Sequence, residues 1–204
     1  ISAFVIDGNT EGMSLNPPEK KMGWCGTDTR SVFFKDMCIP ASAVLGNPSK
    51  GFKQFLKTLT GGRITIGALG LGTAQGAFAR ALEYSQEREA FGKSINNFQG
   101  VSFKLSDMAT QIEAARHLVY YAAWKKDQGL PVIREAAMAK LFSSETAMQV
   151  TTEAIQVLGG YGYIKEYDVE RFFRDAKILE IGEGTSEVQR MIIARDLIQS
   201  VQTV

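Results

Sequence analysis

Apolar positions change their period partway along the chain. Before residue 50 they come in short β-branched and aromatic runs, Ser2–Ile6 and Ser31–Phe34, bounded by turn chemistry at Asp7-Gly8-Asn9 and Cys25-Gly26-Thr27-Asp28. These runs predict strands of a partial sheet. After residue 50 the spacing becomes helical. Gly51 to about Glu87 is rich in Leu, Ile, Ala and Gly, and Val101, Leu105, Met108, Ile112, Ala115, Val119 and Ala122 form one stripe between Val101 and Asp127. A third helix is predicted from about Val132 to Leu158, opened by Pro131 and closed by Gly159-Gly160. Shorter helices are predicted over Val169–Ala176 and Ser186–Ile198, the last with the Thr185 and Ser186 hydroxyls placed for capping.

Four of the five prolines precede Gly51, which divides the chain into a partial β-domain, 1–50, and a helical domain, 51–204. Long amphipathic helices joined by short loops predict a mainly α fold, an antiparallel helix bundle preceded by that partial β-domain. Lys+Arg number 23 and Asp+Glu 22, a net charge of +1 with no block of either sign, so an anionic ligand must be met by a few placed cations and no nucleic-acid arm is present. Cys25 and Cys38 form no CxxC pair and His117 is the only histidine, inside a helical pattern, which argues against a zinc site and against Ser-His-Asp or Cys-His chemistry. No apolar run approaches the ~18 residues of a membrane span, and the start lacks a basic leader. The expectation is a soluble protein of a reducing compartment.

Gly67-Ala68-Leu69-Gly70-Leu71-Gly72 contains G-x-G, but position 75 is Gln, no strand precedes it, and the segment is helical. The dinucleotide-fingerprint reading fails. Gly67, Gly70, Ala74 and Ala77 instead predict a small-residue face that lets another helix approach closely, although each helical Gly costs roughly 0.5–1 kcal/mol against Ala.

Two further segments are more specific. Gln156, Gly159, Gly160, Gly162, Tyr163, Glu166, Arg171 and Asp175 spell Q-x2-G-G-x-G-Y-x2-E-x4-R-x3-D, and Glu183-Gly184-Thr185-Ser186-Glu187-Val188-Gln189-Arg190 follows. Helix-ending glycines alone are ordinary caps. The joint pattern resembles the C-terminal signature and catalytic loop of the acyl-CoA dehydrogenase family. Upstream, Gly61-Gly62-Arg63 resembles the arginine that opens that family's first C-terminal helix, and Arg88-Glu89-Ala90-Phe91-Gly92-Lys93 with Phe98-Gln99 its flavin-contacting segment. Gly23-Trp24 and Phe34-Lys35-Asp36 resemble the end of its middle β-domain.

The resemblance implies FAD-dependent α,β-dehydrogenation of a short- or medium-chain acyl-CoA. Dehydrogenating an acyl thioester needs a base at the α-carbon and a hydride acceptor at the β-carbon. A carboxylate is a poor base at its free pKa of about 4.3, and an apolar setting raises it. The resemblance makes Glu183 that base. Some branches carry the base just before the helix-opening arginine; here that residue is Gly62, which implies the short- and medium-chain arrangement. Arg63, Thr60 and Gly184 would face the substrate, Thr60 standing where an acidic residue is common and Gly182 where an aromatic is. Arg88, Phe91, Phe98, Gln99, Gln156, Gly159, Gly160, Thr185 and Glu187 would face FAD, partly across a subunit contact, with guanidinium suited to a pyrophosphate.

By the same resemblance the partners are an electron-transfer flavoprotein and further copies of the chain, as a homodimer or homotetramer. The location would be the cytoplasm of a bacterium or the mitochondrial matrix of a eukaryote. The family's N-terminal helical domain and its ring-holding strands would lie upstream of Ile1, so the 204 residues alone are expected to bind FAD weakly or not at all. Two other readings stay open: a helical fragment that only oligomerises, and an acyl-CoA oxidase.

Overall fold

A computed structural model describes residues 1–202, with side chains through Val201. Thr203 and Val204, the last two residues of the expected helical domain, lie outside the described residues. The chain divides into two compact units, Ile1–Leu59 and Thr60–Val204. The division falls inside the first long helix, which starts at Gly51.

In the first unit, β1 (Ala3–Phe4) pairs antiparallel with β4 (Val44–Leu45), and β2 (Met13–Leu15) pairs antiparallel with β3 (Val32–Phe34), Ser14 opposite Phe33. The run expected over Ser2–Ile6 contributes only two residues to a ladder. Its partner strand is just as short, because the chain leaves Pro40 as a single 3-10 turn, Ala41–Ala43, and one further bond, Val5 N–H to the Ala43 carbonyl at 2.9 Å, ends the pairing. Strands β2 and β4 were not evident in the apolar pattern. Gly51 must be glycine, since a Cβ there would stand 2.5 Å from the Ala3 nitrogen.

The second unit is helical. It holds the later part of α1 (Gly51–Glu87), then α2 (Gln99–Asp127), α3 (Ile133–Leu158), α4 (Gly160–Tyr163), α5 (Val169–Ala176) and α6 (Ser186–Gln202). Between α1 and α2 a hairpin of β5 (Glu89–Ala90) and β6 (Lys93–Ser94) turns on Phe91 and Gly92, both with positive φ (51° and 80°). Two left-handed central residues make the tight turn that suits strand twist. The predicted α2 stripe is buried from Leu105 through Met108, Ile112, Ala115 and Val119 to Ala122, while Val101 is half-buried.

Helix α3 is the centre of the unit and packs on α2, α5 and α6. Its short loop from α2 makes those two antiparallel neighbours. Its buried residues are mostly small, among them Ala136, Ala139, Ser143, Ala147 and Ala154. That allows the close approach predicted for α1: a Cβ on Gly67 would lie 3.2 Å from the Ala139 carbonyl carbon, and one on Gly70 would lie 2.9 Å from the Ser143 oxygen. Ala74, Ala77 and Ala81 continue that face, fully buried. Helix α6 runs past the Ile198 expected from the sequence to Gln202.

Candidate active site

The loop before α6 is built from an unusual backbone. After a 3-10 turn over Lys177–Glu180, the Gly182 amide bonds back to the Ile178 carbonyl at 2.8 Å, and then Glu183 and Gly184 both take positive φ, 56° and 92°. A left-handed non-glycine residue costs roughly 1–2 kcal/mol, so the surrounding structure must hold Glu183 there. Thr185 then starts α6: its Oγ1 accepts from the Val188 amide at 3.4 Å, and its carbonyl accepts from the Gln189 amide at 3.0 Å. The Glu187 backbone amide and then the Thr185 hydroxyl, both bonded to the Glu187 carboxyl, hold it below its usual range.

The turn delivers the Glu183 side chain to α1. A methyl group built on Gly62 would come 2.6 Å from Glu183 Oε2 and 3.0 Å from its carboxyl carbon, so the space beside Gly62 is taken by the carboxylate. Oε2 is itself buried and has no hydrogen-bond partner. Arg63, the next residue on α1, is buried, and its Nε is likewise unpartnered. Burial pushes the Arg63 guanidinium below its ordinary value, and the charge of Glu183 opposes that shift. Thr60 lies one helical turn before Arg63, on the same side of α1. Thus Arg63, Glu183 and Gly184 come together, with Thr185 and Glu187 at the edge.

Two residues that the sequence reading gave no role complete this site. Lys140 of α3 is fully buried, and its Nζ donates to the Gly184 carbonyl at 2.7 Å. Gln189 of α6 is fully buried, and its Nε2 donates to the same carbonyl at 2.8 Å and to the Glu183 carbonyl at 3.2 Å. Gln189 stood inside the quoted loop motif. For Lys140 the available signal was a lysine on a helix face otherwise made of alanine, serine, threonine and aliphatic residues.

A second group forms at the far end of α1. Arg88, Gly159 and Gly160 line a cleft of about 550 Å³ with Tyr84, Tyr161 and Ile95. Gln156 is exposed on the last turn of α3, and Gln99 opens α2. At the hairpin tip Phe91 is 97% exposed and meets Phe98 edge-on at 6.1 Å, with Lys93 over the Phe98 ring at 4.3 Å. The cleft fits a dinucleotide phosphate. Nothing lies within 4 Å of a Cβ built on Gly159 or Gly160, so that wall is open to a ligand, and Arg88 has no carboxylate partner among the described residues. Charge-assisted bonds from a guanidinium would meet such a group. Among the described residues no three metal-ligating side chains cluster.

The helical unit thus presents a half-buried carboxylate with an unpartnered oxygen beside Gly62 of α1, and an arginine-rimmed glycine cleft at the far end of the same helix. The chain belongs to the acyl-CoA dehydrogenase family: the model of the acyl-CoA dehydrogenase C-terminal domain matches residues 49–198. A probable acyl-CoA dehydrogenase of Bacillus subtilis, YngJ, is 52% identical over 199 residues, which is 98% of this chain and 52% of that protein. The CarC subunit of the caffeyl-CoA reductase-Etf complex of Acetobacterium woodii is 44% identical over 199 residues, again 98% of this chain and 52% of that protein. The solved butyryl-CoA dehydrogenase of Megasphaera elsdenii superposes with a TM-score of 0.94 at 50% identity, covering 97% of this chain and 51% of that one. The chain spans about half the length of the curated relatives it matches.

Proposed function

We propose that this chain forms the base-bearing half of an enzyme that dehydrogenates a short- or medium-chain acyl-CoA to the trans-2-enoyl-CoA, with FAD as cofactor and an electron-transfer flavoprotein as electron acceptor. The observation that carries the proposal is the half-buried Glu183, whose Oε2 is buried against Gly62 with no hydrogen-bond partner. An acceptor atom held without a donor costs about 1–3 kcal/mol, a cost that makes sense if the atom must take a proton from a ligand. Bound FAD would supply the hydride acceptor at the substrate's β-carbon. Glu183 takes the α-proton, Arg63 and Thr60 orient the thioester side, and the α–β bond becomes double as the two hydrogens leave. Arg88, Gly159, Gly160 and Gln156 hold the cofactor's phosphate side, with Phe91, Phe98 and Gln99 reaching it across a subunit contact and Thr185 and Glu187 near the loop.

A relative named as a reductase complex subunit supports a second direction at the same site. Protonated Glu183 then returns a proton to the α-carbon of an enoyl-CoA, and reduced FAD would supply the hydride to its β-carbon. The test is anaerobic addition of C4 and C8 acyl-CoA to the complete flavoprotein. Bleaching of the flavin is expected. A colourless protein marks the non-catalytic helical fragment, and rapid reoxidation with oxygen consumption once air is admitted marks the oxidase.

Replacing the cleft arginine tests the cofactor assignment separately. Arg88→Leu should weaken FAD binding by roughly 10- to 100-fold, the loss of one or two charge-assisted bonds, without changing the melting temperature of the apoprotein. Equal FAD retention in a dialysis titration would remove Arg88 from the site. Exposed apolar residues on α6, Met191, Leu197, Ile198 and Val201, support assembly into dimers or tetramers. Light scattering is expected to report a multiple of the single-subunit mass, and a monomer at tens of micromolar would count against it.

A further inference from the structure

A fully buried lysine is rare unless a carboxylate pairs with it. Lys140 has no carboxylate within salt-bridge reach among the described residues, and its one hydrogen bond is to the Gly184 carbonyl. Burial lowers its proton affinity, with Glu180, Glu145 and Glu187 opposing from a distance and Arg63 adding to the effect. A methionine of similar length would fill the same space without the desolvation cost. Stability therefore does not account for the ammonium.

Its position does. Lys140 comes from the N-terminal third of α3, the most enclosed helix of the unit, and Gln189 from the first turn of α6, and both aim at one oxygen. That oxygen belongs to the second of two consecutive left-handed residues, and the Gln189 amide also reaches the first, Glu183. Two buried donors on the Gly184 carbonyl, one of them charged, fix the peptide plane that follows Gly184, and the Gln189 bond to the Glu183 carbonyl fixes the plane before it, so that together they set where the Glu183 carboxylate points. Gln189 Oε1 is buried and unpartnered, so the Gln189 amide satisfies the loop at the expense of its own acceptor.

We propose that Lys140 is a positioning residue for the reaction: with Gln189 it clamps the Gly184 carbonyl and holds Glu183 in its left-handed, base-competent conformation. This rests on the reading of Glu183 as the base. The clamp is geometric, since no contact joins the ammonium to the carboxylate. A displacement of the order of 1 Å in a reacting group costs about 100-fold in rate.

The experiment uses the complete, FAD-loaded protein and follows bleaching at saturating acyl-CoA, with substrate affinity read separately. Lys140→Met is expected to slow bleaching about 100-fold, change substrate affinity less than about threefold, retain FAD, and melt at or above the temperature of the unsubstituted protein. Lys140→Arg, which keeps a charged donor, should recover the rate at least in part. Hydrogen exchange of a peptide covering residues 182–186 should quicken in Lys140→Met, a readout independent of activity. Gln189→Leu should slow bleaching in the same way, and the double variant should fall short of the product of the two single effects because both hold one oxygen.

An unchanged bleaching rate in Lys140→Met, beside a Glu183→Gln control that has lost bleaching, overturns the positioning role and leaves the function standing. So does a rate loss matched by loss of FAD and a lower melting temperature, which marks a packing role. If Lys140→Met does not fold, Gln189→Leu decides: a slowed rate with faster exchange at 182–186 supports the clamp, and an unchanged rate overturns it. Absence of bleaching in the unsubstituted protein overturns the function and the clamp with it.

Discussion

Glu183→Gln is expected to leave FAD bound and the fold intact while bleaching by acyl-CoA falls at least a thousand-fold. The amide keeps the size of the carboxylate and its place beside Gly62, where there is no room for a bulkier change: a single carbon on Gly62 already meets Oε2 at 2.6 Å. What it removes is the basicity that the proposed α-proton transfer requires, since an amide oxygen is too weak a base, and general-base catalysis of this kind contributes typically 10²–10⁴-fold, with more lost where no other base is in reach. The described site supplies no substitute. Arg63 is a donor only, and Lys140 points into the Gly184 carbonyl. Binding should change little, because the interaction lost is made as the proton moves and not in the ground state. The rate measured under single-turnover conditions must therefore drop with a nearly constant half-saturating acyl-CoA concentration. Bleaching within tenfold of the unsubstituted rate would show that another group is the base.

How far the sequence disclosed this arrangement depended on whether the information was periodic. The α2 stripe was readable because one apolar face repeats along nearly thirty residues, and burial follows it from Leu105 to Ala122. The small-residue face of α1 was readable for the same reason, as Gly67, Gly70, Ala74 and Ala77 fall on one side of a helix. The hairpin at Phe91-Gly92 was not, because the usual two-residue turn signals are Asn-Gly or Asp-Gly, and a phenylalanine at positive φ is an exception that the local sequence does not announce. The R-x-x-F-G-K spacing was noticed as a resemblance; the hairpin gives it a physical form, placing Arg88 at its base and Phe91 at its tip. Lys140 was missed because a lysine in a helix is ordinarily a solvated residue, and only the third dimension shows that its ammonium ends on a loop carbonyl 44 residues later in the chain. Glu183 was singled out through its neighbours in the motif, but its left-handed backbone and its contact with Gly62 come from tertiary structure.

The second large effect is expected at Gly70, and its contrast with Gly72 separates close packing from simple helix propensity. Both glycines lie inside α1, where alanine is intrinsically favoured by roughly 0.8–1.0 kcal/mol. At Gly72 a Cβ meets nothing within 4 Å, so Gly72→Ala should collect most of that gain and raise the melting temperature by about 2–4 °C for a domain of this size. At Gly70 a Cβ would stand 2.9 Å from the Ser143 oxygen and 3.1 Å from its carbonyl carbon. These are backbone atoms of α3, which cannot swing aside as a side-chain end would. Either α1 or α3 must shift, and α3 is held by α2, α5 and α6. Overpacking of this kind costs typically 1–3 kcal/mol, which exceeds the propensity gain, and Gly70→Val adds two further carbons to the same clash. Gly70→Ala should therefore melt below the unsubstituted protein and Gly70→Val lower still, by roughly 5 °C or more. Moving α3 at Ser143 also moves Lys140 one turn away, so the Gly70 variants should slow flavin bleaching while Gly72→Ala leaves it unchanged. Thermal melts and single-turnover bleaching on the three variants decide this. A Gly70→Ala protein as stable as Gly72→Ala would mean that the two helices are not held as closely as these distances require.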